Sequence, residues 1–317
     1  MNIAELLNNT KETLVSFEIL PPVRGNNIQS IYNTLDPLME FSPKYINVTY
    51  HREEITYKEL KGGLLQPIVQ RKRPGTVGIT AAIKHKYSTE VVPHIICGGF
   101  SKQETEEALI DFNFLGINNV LIVRGDPLKS EIKFTEKKDG NKYAVDLVKQ
   151  IANMNKGIFL NETVEQSAAT NFCMGVAAYP EKHIESPNEY SDMEILKQKI
   201  NSGAKYIVTQ MFFDNNKYFD FVDKCRKAGI KVPIIPGIKP VSIIDHSTLL
   251  PKIFHIDLPK ELTCEINKCN NNKSVRQVGI EWATQQSKEL KKAGVPVIHY
   301  YTMGKADNIY NIVKNVF

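Results

Sequence analysis

An α/β fold, and within that class a (β/α)8 barrel, is predicted by two features of this 317-residue chain. Short runs rich in Val, Ile, Tyr and Phe alternate with longer stretches of helical spacing, and the alternation occurs eight times. A barrel of this kind typically takes ~250 residues, so one domain spanning 1–317 with insertions in its βα loops accounts for the length. The competing arrangement is a doubly wound open sheet. Against it, no G-x-G-x-x-G follows the first strand and no G-x-x-x-x-G-K-[ST] occurs anywhere.

The eight strands are predicted at residues 13–20 (TLVSFEIL), 45–50 (YINVTY), 91–97 (VVPHIIC), 119–125 (NVLIVRG), 172–179 (FCMGVAAY), 206–213 (YIVTQMFF), 233–238 (PIIPGI) and 297–303 (VIHYYTM). Between the third and fourth, Ser101 and Glu104 form the S-x-x-E capping box of a helix start. Ala108, Phe112 and Leu115 then recur at helical spacing and Gly116 ends the segment. The same grammar predicts helices over residues 191–203 and 215–229, each closing on a glycine before the next strand, and a last helix over 306–317. The long connections 127–142 and 240–296 are expected to carry internal helical stretches, and 154–170 reads as an insertion without an assigned role.

Composition narrows the function classes. Forty basic against 35 acidic residues give a net charge of +5 spread along the chain, unlike the concentrated basic stripe of a nucleic-acid binder. Apolar runs fall well short of the roughly 20 residues of a membrane span. Glu5 and Asn8 stand where a signal peptide would be apolar, so a cytosolic protein is expected. Five scattered cysteines with no C-x-x-C pair indicate neither a disulfide framework nor a zinc ribbon, and Cys97 and Cys173 are expected to pack as small hydrophobes.

In a barrel, chemistry is read at the C-terminal ends of the strands. There the chain places Glu18, Thr49, His94, Arg124-Gly125-Asp126, Tyr179 followed by Glu181 and His183, and Gln210. Polar groups within apolar strands are costly unless satisfied, so their convergence on one rim points to a site. Taken singly, Glu18 is equally compatible with an ion pair to Arg124 or Lys239, His94 with a packed histidine, and Arg124 to Asp126 with a simple turn. No H-x-x-x-H or paired-carboxylate spacing suggests a metal, and no G-x-S-x-G elbow suggests acyl transfer.

Taken together, SFEILPP (16–22), INVTY (46–50), PHIIC (93–97), VRGDP (123–127), AAYPEKH (177–183), GAKYIVTQMFFD (203–214) and IIPGIKPV (234–241) resemble the methylenetetrahydrofolate reductases, in that family's order and over nearly the whole chain. The length is similar to the bacterial type, a catalytic barrel alone. The resemblance implies an FAD flavoprotein in a homo-oligomer. NADH or NADPH reduces the flavin and leaves; 5,10-methylenetetrahydrofolate then enters and departs as 5-methyltetrahydrofolate, a methyl donor for methionine synthesis. Glu18 matches the general acid that protonates the leaving nitrogen N10, a task that requires it to hold its proton near neutrality. Phe17 and Ile19 beside it are consistent with burial. Asp126 matches the carboxylate near flavin and pterin, and Gln210 the amide that contacts folate.

For FAD the resemblance carries over Thr49, Tyr50, His94, Arg124, Gly125, Asp126, Tyr143, Ala144, Ala177, Tyr179, His183, Asp192 and Lys199. The two cations suit a diphosphate. The chain departs from the family at Ile195 and Gln198, where Asn and Arg are usual, and at His246 and Leu250, where a glutamine and an aromatic are usual. Lys305 replaces an arginine that pairs with the folate tail. Rival readings are another barrel flavoenzyme such as proline dehydrogenase, or a non-catalytic flavin- or folate-binding subunit; retention of Glu18 argues against the latter, since binding alone needs no proton donor.

Overall fold

The computed structural model describes residues 1–128, 131, 133–161 and 168–317. Helix α1 (Ile3–Asn9) precedes β1 (Leu14–Ile19), and α2 (Gln29–Leu35) leads through a 3-10 turn (Asp36–Phe41) to β2 (Tyr45–Val48). A hairpin of β3 (Glu54–Glu59) and β4 (Leu65–Gln70) follows, then α3 (Thr76–Tyr87), β5 (Glu90–Ile96), α4 (Lys102–Phe114), β6 (Asn119–Val123), α5 (Ala144–Met154) and β7 (Cys173–Ala178). Next come α6 (Glu189–Asn201), β8 (Tyr206–Thr209), α7 (Asn215–Lys227), β9 (Ile234–Ile235) and β10 (Gly237–Ile238). The chain closes with α8 (His246–Phe254), α9 (Lys260–Asn267), α10 (Asn272–Lys292), β11 (Val297–Tyr301) and α11 (Asp307–Val316).

One sheet of nine strands runs β10-β11-β1-β2-β5-β6-β7-β8-β9, with every pairing parallel. Its two edges are halves of one predicted strand, residues 233–238, divided at Pro236, which has no N–H to give a ladder. Pro236 accepts instead from His299 N at 3.0 Å, while Gly237 N donates to Thr209 Oγ1 at 3.0 Å. The chain itself therefore joins the sheet's edges, and the eight predicted strands make a (β/α)8 barrel.

Side-chain alternation sorts the strands into two layers. Val15, Phe17, Ile19, Ile46, Val48 and Val91 lie in the layer beneath the helices. Tyr45, Val92, Leu121, Cys173, Tyr206, Val208, Ile235 and Val297 fill the lower barrel, together with Ile3, Ala4 and Leu7 of α1. Ile3 N donates to Asn119 Oδ1 at 3.0 Å, which fixes α1 as a plug across the N-terminal end. Gly175 leaves room for the Tyr206 ring, since a Cβ there would lie 2.3 Å from it. With the lower half apolar, polar chemistry is confined to the upper half.

The capping box at Ser101 and Glu104 forms as predicted, and α7 and α11 lie within their predicted spans. Helix α6 begins two residues before its predicted start, because Asn188 accepts from Ser191 N and caps it. Connection 240–296 carries α8, α9 and α10, but among its described residues 127–142 has no helix. Pro127, a run of mixed charges and Asp139 at φ +58° interrupt that segment. Of the insertion 154–170, residues 162–167 lie outside the described residues; its flanks are joined where Asn155 Oδ1 accepts from Thr170 Oγ1 and Phe172 N, both at 2.8 Å. Helix α1 and the β3–β4 hairpin lie outside the predicted set of elements. Cys97 and Cys173 are buried packing residues, and burial pushes the Cys97 thiol up to about 12.

Gly279 on α10 faces the backbone after β10, and a Cβ there would fall 1.9 Å from Val241 O. Neither backbone can yield cheaply, so Gly279→Ala is expected to cost about 1–3 kcal/mol, the usual range for overpacking. A thermal melt checks this; an unchanged midpoint would contradict the tight contact.

Candidate active site

On β1, Ser16 and Glu18 point into the barrel while Phe17 and Ile19 point away from it, beneath the helices. Phe17 and Ile19 therefore do not bury Glu18, because neighbouring residues on a strand face opposite sides. Its surroundings come from other strands. Glu18 Oε2 lies 3.4 Å from His94 Nε2 on β5 and 3.8 Å from His299 Nε2 on β11. Asn47 Nδ2 on β2 reaches His94 Nε2 at 3.4 Å. Ser16 Oγ meets His299 Nδ1 at 2.8 Å, and Tyr45 stacks on the same imidazole at 6.5 Å between ring centres. Thr302 fixes the strand end by donating twice to Glu18 O, from Oγ1 at 2.7 Å and N at 3.2 Å.

Burial drives His94 down to about 4, against the opposing pull of Glu18, so its imidazole is neutral at ordinary pH. Glu18 thus faces a neutral imidazole at His94 rather than a cation there. The alternative of an ion pair with Arg124 or Lys239 is not what the chain forms. Arg124 is clasped by Glu185 through both guanidinium nitrogens, one bond at 2.8 Å, and its guanidinium lies over Phe134 at 4.9 Å.

A neutral His94 also sets a pH dependence. The unfolded histidine takes up a proton near 6.5 and the folded one only near 4, so on acidification the unfolded state binds more protons. Stability should therefore fall as pH drops from about 6.5 to about 4, by up to about 3 kcal/mol from this residue. Melts of wild type and His94→Asn over that window test it: the variant should lose part of the slope, and parallel curves would refute the assignment.

The other predicted residues follow the C-terminal ends of β2, β6, β7, β8 and β11 or lie at the start of α5 and on α6. Thr49 donates to Ile19 O, and Tyr50 packs on Phe100 at 5.0 Å. Gly125 adopts φ +85°, and exposed Asp126 makes no carboxylate hydrogen bond among the described residues, so a capping role for it finds no support. Tyr179 meets His183 edge-on at 4.7 Å. Asp192 accepts from His183 N at 3.1 Å and Ser186 Oγ at 2.7 Å, securing the loop after β7. Lys199 Nζ donates to Ala177 O at 3.1 Å, and burial lowers it to about 8. Gln210 Oε1 accepts from Met211 N at 2.9 Å, Ala144 is buried at the start of α5 and Tyr143 is half exposed before it. Lys305 is exposed beyond β11.

Among the departures, Ile195 and Gln198 lie on the exposed side of α6, and Leu250 is buried with Met211, Phe213 and Val241. His246 Nδ1 accepts from Ser242 N at 3.1 Å. Sequence reasoning missed His299, Asn47 and Ser16. The available signal was the period of two: Ser16 shares the Glu18 face, and His299 is polar within an apolar strand.

Residues 2–317 match the methylenetetrahydrofolate reductase family. Among curated relatives, a 5,10-methylenetetrahydrofolate reductase of Pectobacterium carotovorum is 29% identical over 98% of this chain and 94% of its own. That of Escherichia coli is 30% identical over 94% and 88%. A plant relative, methylenetetrahydrofolate reductase (NADH) 1 of Arabidopsis thaliana, is 28% identical over 96% of this chain but only 48% of its own, so the chain spans about half the length of such relatives. In structure the chain is similar, at TM-score 0.56 and 14% identity over 100% of this chain and 98% of the other, to a Clostridium thermocellum protein that binds two copies of 5-methyl-5,6,7,8-tetrahydrofolic acid; at that identity the likeness shows the fold. No helix among the described residues is long and apolar enough to cross a membrane. By its motifs, its barrel and the match over nearly its whole length, the chain belongs to the methylenetetrahydrofolate reductase family.

Proposed function

We propose that this chain, as one catalytic barrel domain, reduces 5,10-methylenetetrahydrofolate to 5-methyltetrahydrofolate with FAD as cofactor and NADH or NADPH as donor. The observation that carries the reading is Glu18, 13% exposed and inward-facing, between two buried histidines at the C-terminal end of the barrel. The rim fits a flavin dinucleotide by its donor set. Arg124 and Lys199 supply the two cations a diphosphate needs, and Tyr179, His183 and Tyr143 supply ring faces. When bound, the flavin would supply the hydride chemistry.

The chain's own residues do the rest. Glu18 delivers the proton to N10, and His94 and His299 orient its carboxyl group. Asp126, whose carboxylate accepts no hydrogen bond among the described residues, would favour positive charge on the folate and accept from the pterin amino group. Gln210 can turn its amide toward the folate from the end of β8.

The test is the absorbance of the purified protein. A flavin spectrum bleached by NADH or NADPH, and separately by methyltetrahydrofolate, is expected. A flavin reduced by neither nicotinamide would sink the donor assignment, and one indifferent to methyltetrahydrofolate would sink the reaction.

A further inference from the structure

Lys239 follows β10 and is only 6% exposed, yet no carboxylate pairs with it and no hydrogen bond holds its ammonium among the described residues. Alternation gives its direction. Ile238 packs beneath the helices while Ile235 and Gly237 face the barrel interior, so Lys239 points inward with them. Register gives its height. Gly237 pairs with His299, so two residues further on Lys239 stands level with Tyr301, whose other neighbour is Glu18. At a strand spacing of ~4.8 Å, the α-carbons of Lys239 and Glu18 flank Tyr301 about 10 Å apart.

A second donor stands beside it. His246 lies close enough for the Lys239 charge to add to burial in driving its imidazole down to about 4. Because Nδ1 of that neutral ring accepts from Ser242 N, the proton sits on Nε2, leaving an N–H donor. An ammonium on a side chain this enclosed, with no protein acceptor among the described residues and open to the site only at its tip, is one that a ligand's negative charge would stabilise.

We propose that Lys239, with His246 Nε2–H as second donor, holds a carboxylate of the glutamate tail of the folate. The inference rests on the reaction proposed above, in which Glu18 serves N10. From N10 across the aminobenzoyl amide to the first tail carboxylate is about 9 Å at ordinary bond lengths, a length that the long, flexible Lys239 side chain can meet from a strand about 10 Å from that of Glu18. Lys305, exposed at the adjoining strand end, is left for the tail's second carboxylate. Dinucleotide phosphates present the same anionic oxygens, and the experiment separates the two sources.

Lys239→Met keeps the length of the side chain and removes its charge. Calorimetric titration of flavin-loaded wild type and variant with methyltetrahydrofolate, its pteroate analogue without glutamate, and NADH reads the site without turnover. The expected result is a roughly tenfold to hundredfold weaker affinity for methyltetrahydrofolate, an unchanged affinity for the pteroate analogue, and a melting midpoint no lower than wild type. Equal affinities for all three ligands would overturn the proposal. Loss confined to NADH would assign the charge to the donor's phosphates and overturn the folate tail as its partner. Normal binding with no flavin-linked turnover would refute the proposed reaction while the Lys239 comparison stands, and a wild type that bound no folate would refute both.

Discussion

Replacing Glu18 by Gln is expected to leave flavin content and its reduction by a nicotinamide near wild type while slowing folate reduction about 10²- to 10⁴-fold, the usual contribution of a positioned general acid. Gln is isosteric and fills the same space beside His94 and His299, so the barrel interior should remain packed. What it lacks is a transferable proton, and only the folate half-reaction needs one at N10. Stopped-flow measurement of the two half-reactions separates the roles. Equal losses in both would make Glu18 a structural link between β1, β5 and β11.

Arg124→Met should weaken flavin retention by about a hundredfold or more, since charge-assisted hydrogen bonds contribute roughly 1.5–3 kcal/mol each and the guanidinium offers two. The effect of Glu185→Gln should run the other way. Glu185 now clasps Arg124 and is 46% exposed on its own side, so it can swing out when a diphosphate arrives. Removing its charge lowers the cost of that exchange, and flavin should bind more tightly. Ratios of flavin to protein absorbance after repeated desalting measure both. If Glu185→Gln also loses flavin, the clasp is part of the binding rim rather than a competitor for it.

The sequence by itself determined the strand order, the capped helices and the rim residues, because these depend on what each segment does locally. An S-x-x-E start is satisfied within one turn, as at Ser101, and a run such as NVLIV is apolar because both faces of β6 are covered. Motif strings likewise carried the family. Beyond reach were contacts set by closure of the sheet. Only the registers of β1 against β11 and β2, and of β2 against β5, bring Ser16, Glu18, Asn47, His94 and His299 within reach of one another on two successive inward layers, and those registers are fixed by side-chain packing around the whole barrel. The partition of Arg124 to Glu185, and of Lys239 to no partner, was decided in the same way. Charge type is written in the sequence, but which charges meet depends on non-local geometry.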